Sequence, residues 1–163
     1  MRYYIKQKIF TLRDKFNIMD ENGNDIYAVE GKMFSLSNKL ELRDLDGSQI
    51  LNSYKKVLTI FPKYFINNPQ GEQLAVIQKK LALRPRFNVN VLGKELTVEG
   101  SFFGHSFGII DNGQEVASIQ KKILSFGDTY EIDVVYDDNP ELFLFIVIII
   151  DQVIHENKNN QNG

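Results

Sequence analysis

The sequence predicts an all-β fold, a barrel of about a dozen strands closed by one hydrophobic C-terminal helix. Three observations carry this: a turn-and-strand unit that recurs four times, a longer repeat that relates one half of the chain to the other, and one long apolar run after Asn139-Pro140. At 163 residues the chain fits one domain, and a chain of this size buries enough surface to need no staples. That domain is expected over 1–156, with the helix at about 140–156. The polar stretch 157–163 is expected to be a disordered tail.

The recurring unit is a turn glycine followed by a β-pattern: Gly23-NDIYAVEGKM, Gly47-SQILNSYKKV, Gly71-EQLAVIQKKL and Gly113-QEVASIQKKI. Each has an aliphatic residue three after the glycine, a lysine nine after it and an apolar residue ten after it. Asp20-Glu-Asn-Gly23, Asp44-Leu-Asp-Gly47 and Asn68-Pro-Gln-Gly71 place Asp or Asn first and Gly fourth, which suits a type I turn closing onto a glycine of positive φ. Ile110-Asp111-Asn112-Gly113 reads as a looser version. Calcium is the other reading of Asp20–Asp25, but an EF-hand needs glycine sixth and glutamate twelfth. Here glycine is fourth and position twelve is Gly31, so the turn is preferred.

The longer repeat pairs Val29-Glu30-Gly31 with Val98-Glu99-Gly100, Lys55-Lys56 with Lys121-Lys122, and Tyr64 with Tyr130. It divides the chain into halves at roughly 10–68 and 87–135, joined by a strand around Leu74–Leu83. Short alternating segments such as Phe87–Val91 and Tyr130–Val134 argue for a sandwich or a barrel. A regular meander can close on itself and leave no exposed edge.

Asn139-Pro140-Glu141 is a helix start, with an Asn cap, proline at the first helical position and a carboxylate at the positive end of the dipole. From Leu142 to Ile154 nearly every residue is apolar, so a helix here is hydrophobic all round and has to be enclosed. The Ile/Val richness suits a buried strand equally; the cap signal favours helix. The run Leu142–Ile150 is nine residues, well short of the roughly 20 that span a membrane.

With no cysteine, disulfides, thiolate metal sites and cysteine nucleophiles are excluded, which fits a reducing cytoplasm. Met1–Lys6 has no apolar signal region. A net charge of −2 gives no global attraction to nucleic acid, so an anionic partner would need a local basic patch. Twelve Phe and seven Tyr suit a large aromatic β-core.

Several ordered segments together resemble the LURP-one-related family, in its small bacterial branch. They are Lys6-Gln-Lys-Ile-Phe10, Asp14-Lys-Phe16, Asp20-Glu-Asn-Gly23, Tyr27-Ala-Val-Glu-Gly-Lys32, Gly127-Asp-Thr-Tyr-Glu-Ile132 and the closing apolar segment through Asp151 and His155-Glu156. The resemblance implies the Tubby C-terminal fold, a twelve-stranded barrel around a central hydrophobic helix. The related Tubby domains bind phosphoinositide head groups, and phospholipid scramblases are grouped with the fold. None of the Tubby lipid contacts maps residue by residue onto this chain, and fold does not imply function.

The sequence offers no catalytic constellation and no cofactor motif. His105 adjoins Ser106, but neighbours on a strand point to opposite faces. His155 lies four after Asp151 and could pair with it on one helix face, though a role at the helix C-terminus is the plainer reading. Gly93, Gly100, Gly104 and Gly108 lack the strand–loop–helix context and lysine of a phosphate loop; bends and bulges account for them.

The lysine pairs Lys55-Lys56, Lys79-Lys80 and Lys121-Lys122 are the most informative polar residues. Alternation that puts Ala75, Ile77, Leu81, Ala117, Ile119 and Ile123 inward also points Lys55, Lys79 and Lys121 inward. An isolated buried ammonium is prohibitively costly, so a β-bulge, a rim position or a carboxylate partner is required, with bulge or rim favoured. A rim would gather Lys55, Lys79, Lys80, Arg84, Arg86, Lys121 and Lys122 into an anion site. The plainer reading is that the lysines solvate the strands and prevent edge pairing. The expectation is a non-enzymatic, monomeric cytoplasmic module, peripheral at the membrane if it binds anionic phospholipid, or taking another phosphorylated ligand. The alternative is a protein-interaction or regulatory scaffold. An apolar-ligand carrier is disfavoured if the helix fills the barrel.

Overall fold

The computed structural model describes residues 1–6, 15–32, 39–56, 61–80, 86–101, 105–124, 127–136 and 138–161, the side chains of Lys32 and 155–161 excepted. Twelve strands come first: β1 Arg2–Lys6, β2 Lys15–Met19, β3 Asp25–Lys32, β4 Lys39–Arg43, β5 Gln49–Lys56, β6 Lys63–Asn67, β7 Gln73–Lys80, β8 Arg86–Val91, β9 Lys94–Ser101, β10 Ser106–Asp111, β11 Gln114–Leu124 and β12 Gly127–Val134. Among the described residues one helix, α1 at Pro140–Gln161, follows; it runs on past the expected end near 156. The strands form a closed antiparallel barrel in which each pairs with its neighbours in sequence and β1 closes on β12. Closure runs from Arg2↔Asp133 to Lys6↔Thr129, and the N-terminal ammonium donates to the Val134 carbonyl at 2.6 Å.

The three predicted Asx-to-Gly turns share one construction. The carbonyls of Asp20, Asp44 and Asn68 accept from the N–H of Gly23, Gly47 and Gly71 at 3.0–3.2 Å. Their side-chain oxygens accept from the N–H of Asn24, Ser48 and Glu72 at 2.8–2.9 Å. A register shift sits just before each, at Ile18/Met19, Leu42/Arg43 and Ile66/Asn67, as a one-residue bulge requires. The Asp20 carboxylate is thus the turn's own acceptor, and these hydrogen bonds, led by those from Asn24, hold its pKa below the usual carboxylate range. The fourth unit differs from expectation. Asn112 and Gly113 both have positive φ, 48° and 81°, and Asp111 pairs with Gln114. This is a two-residue type I′ hairpin.

The long repeat corresponds to an offset of six strands. Gly31 in β3 matches Gly100 in β9, Lys55-Lys56 in β5 match Lys121-Lys122 in β11, and Tyr64 in β6 matches Tyr130 in β12. β7, expected as a connector, is therefore the first strand of the second half.

Leu142–Asp151, Val153 and Ile154 are all buried, so α1 is enclosed on every side over that stretch. It lies nearest β7 on one wall and β11 and β12 on another, where the inward residues Ala75 and Ala117 give it room. It begins past β12 at the rim of the tight turns, where Tyr27 Oη donates to Glu141 Oε1 at 2.8 Å. It then runs through the barrel to the opposite rim. Asn139 starts it with φ 72°, a conformation Asn tolerates, and its carbonyl accepts from the Leu142 N–H at 3.1 Å. Among the described residues no helix is long and apolar enough to cross a membrane.

Candidate functional site: a basic rim

In an up-and-down barrel, odd strands end and even strands begin at the same rim. At that rim β1 to β8 end or begin in Lys6, Lys15, Lys32, Lys39, Lys56, Lys63, Lys80 and Arg86, all cations. The last four strands contribute Ser101, Ser106, Leu124 and Gly127. Three hairpins close on a rung of like charge: Lys32↔Lys39, Lys56↔Lys63 and Lys80↔Arg86. Like charges directly opposite each other on neighbouring strands are destabilising. The opposite rim is acidic, with Asp20, Glu21, Asp44, Asp46, Glu72, Glu95 and Asp111 in or beside the turns. A chain of net charge −2 is thus polarised along its axis.

The predicted site residues fall as follows. Lys79 keeps the register of Ala75 and Ile77, with unbroken pairing from Ala75↔Val91 to Lys79↔Phe87, so no bulge turns it out. It is half-buried at the last inward position before the rim. Lys55 is half-buried opposite the buried Tyr64, its Nζ 6.0 Å from the ring centroid. Lys121 stands in the equivalent place opposite the buried Tyr130 and forms an ion pair with Asp128 at 3.0 Å. Lys122 pairs with Glu131 at 3.2 Å. Lys80 and Arg86 are exposed on one rung. Arg84 lies outside the described residues. The rim thus answers the lysine problem, and Lys121 and Lys122 carry acidic partners of their own. Ile123 keeps the register of Ala117 and Ile119, but its expected burial fails: it is 85% exposed.

Just inside this rim, Asp151 of α1 is fully buried, and its Oδ1 lies 3.3 Å from His105 Nδ1. His105 has φ 51° and meets the Tyr130 ring edge-on at 5.9 Å. Burial, then the carboxylates of Asp151 and Asp128, raises the Tyr130 phenol above its usual range. Sequence spacing allowed Asp151 to pair with His155, with a role at the helix C-terminus as the plainer reading; the side chain of His155 lies outside those described. The legible signal was the acid itself: a carboxylate on a helix enclosed on all faces demands a donor from the wall.

The model for the family described as LURP-one-related matches residues 1–151. The chain belongs to that family. The uncharacterised protein YxjI of Bacillus subtilis is 28% identical over 155 residues, covering 95% of this chain and 94% of the relative. An X-ray structure of an Arabidopsis thaliana protein superposes with a TM-score of 0.66 at 20% identity, covering 93% of this chain and 90% of that one. At that identity the likeness shows a shared fold. The expected twelve-stranded, helix-containing LURP-one-related barrel is therefore the observed one.

Proposed function

We propose that this LURP-one-related barrel is a non-enzymatic binding module whose basic rim takes multivalent phosphate, presented by an anionic membrane or by a soluble phosphorylated ligand. One observation carries the reading: eight successive strands place a cation at the same rim, and three hairpins close on like-charged rungs. Such rungs weaken a barrel in isolation and are relieved by a polyanion. Lys56, Lys80 and Arg86 are exposed, as point charges facing a head-group layer should be. Each contributes about 1 kcal/mol near an anionic surface at low salt. The acidic turn rim would face away, orienting the barrel upright on the surface. A cytoplasmic, peripheral protein fits this arrangement.

The test is co-sedimentation with phosphatidylcholine vesicles, with and without phosphatidylglycerol, across a salt series. Inositol hexakisphosphate serves as the soluble probe. Binding to the anionic vesicles that falls with salt and weakens in Lys56→Glu/Lys80→Glu supports the reading. Binding of inositol hexakisphosphate without vesicle binding assigns the rim to a soluble phosphate. No binding of either at low salt overturns the proposal and leaves the protein-interaction scaffold.

A further inference from the structure

We infer that the described end of the β11–β12 ladder is an interfacial membrane anchor, with Ile123 as the side chain that enters the bilayer. The inference rests on the anionic-membrane form of the proposed function. β11 makes its last described rung with β10 at Phe107↔Ile119, and it continues through Leu124 with β12 as its one partner among the described residues. Those five further residues are about 16 Å of strand. The extension is held by the ion pairs Lys121–Asp128 at 3.0 Å and Lys122–Glu131 at 3.2 Å. Ile123 stands at its end, the most exposed large apolar side chain among the described residues.

Its place matters more than its exposure, since single exposed apolar residues are common. Leu45 and Leu92, also well exposed, sit in turns of the acidic rim. Ile123 belongs to the basic rim, on the one arc where strand ends supply no cation. A membrane drawn to the cations of β1–β8 therefore meets this end of the ladder beside them. Asp128, opposite Ile123 on the ladder, is neutralised by Lys121, which removes the nearest charge opposing insertion. Charge attraction and a small apolar insertion then act on one surface, the combination that makes interfacial binding stable.

The chain contains no tryptophan, so one introduced indole reports its own surroundings. Ile123→Trp and, on the acidic rim, Leu45→Trp are titrated with anionic vesicles made with and without brominated lipid. The expected result is a blue shift and quenching for Ile123→Trp, with Leu45→Trp unmoved. Ile123→Ser should weaken vesicle binding roughly tenfold without changing its salt slope, because no charge is lost. Vesicle binding with an unquenched Ile123→Trp overturns the anchor and leaves the basic-rim reading standing. Quenching of Leu45→Trp in its place overturns both the anchor and the orientation. Absence of vesicle binding at low salt removes the anchor together with the reading it rests on.

Discussion

Asp151 on the enclosed helix and His105 just before β10 meet 3.3 Å apart, forty-six residues distant in sequence. The contact ties the middle of the helix to the barrel wall just inside the basic rim. A fully buried carboxylate is tolerable only when donors satisfy it. His105→Ala removes one of those donors, so it should lower unfolding stability by about 1–3 kcal/mol. A urea-unfolding double-mutant cycle with Asp151→Asn should show coupling between the two changes. Independent, additive effects would mean that the pair contributes nothing beyond its parts.

Gly31 and Gly100 occupy matching positions in the two halves because both rungs demand close backbone approach. At Gly100, with φ 141°, a Cβ would stand 2.5 Å from the Ser106 carbonyl oxygen and 2.6 Å from Phe107 Cα. At Gly31 it would meet the Lys39 carbonyl oxygen at 2.5 Å. Gly100→Ala should cost more than about 2 kcal/mol. Gly23→Ala, with positive φ but open space around it, should cost only about 1 kcal/mol. Equal losses in denaturant titrations would show that backbone conformation alone, without the close approach, sets the requirement.

Much of this architecture was legible because it is local. The turn glycines, the alternation after them and the Asn-Pro-Glu helix start each write their signal within a few residues. A lysine nine after each turn glycine marked where three strands end, at Lys32, Lys56 and Lys80, and fell on Lys122 in the longer β11. The cations that begin the returning strands, Lys15, Lys39, Lys63 and Arg86, carry no such fixed spacing. Only the register shows that Lys39, Lys63 and Arg86 face the first set, while Lys15 faces Glu30 and forms an ion pair with it at 2.5 Å. The Asp151–His105 contact was invisible for the same reason: it depends on how far the helix travels through the barrel. Ile123 misled because alternation assumes a barrel wall on both sides, and beyond Ile119 no described rung joins β11 to β10.

The tyrosines predict an alkaline limit to stability. Burial, helped by the Glu141 carboxylate, pushes the Tyr3 phenol up to about 12. Tyr27, through burial and then its hydrogen bond to Glu141, and Tyr130 are also raised. Unfolded tyrosines ionise near 10. Between about pH 10 and 12 the unfolded chain has therefore released protons that the folded chain keeps, and stability falls as pH rises. The melting temperature should change little just below pH 10 and drop steeply through that window. Tyr3→Phe should soften the drop, and a Tyr3→Phe profile identical to the parent's would remove Tyr3 from the account.

The like-charged rungs predict a conflict between stability and binding. Lys80 and Arg86 are paired and exposed, so Lys80→Gln relieves a repulsion in the free protein. Stability should rise by about 0.2–1 kcal/mol at low salt, and the gain should vanish as added salt screens the pair. The same substitution should weaken binding to anionic vesicles and flatten its salt dependence. Lys56→Gln acts on a separate rung, Lys56↔Lys63, and should add to it. If Lys80→Gln destabilised the barrel at low salt, the rung would be held by attraction to acidic neighbours. The rim would then be a solvated edge, with no argument left for a polyanion.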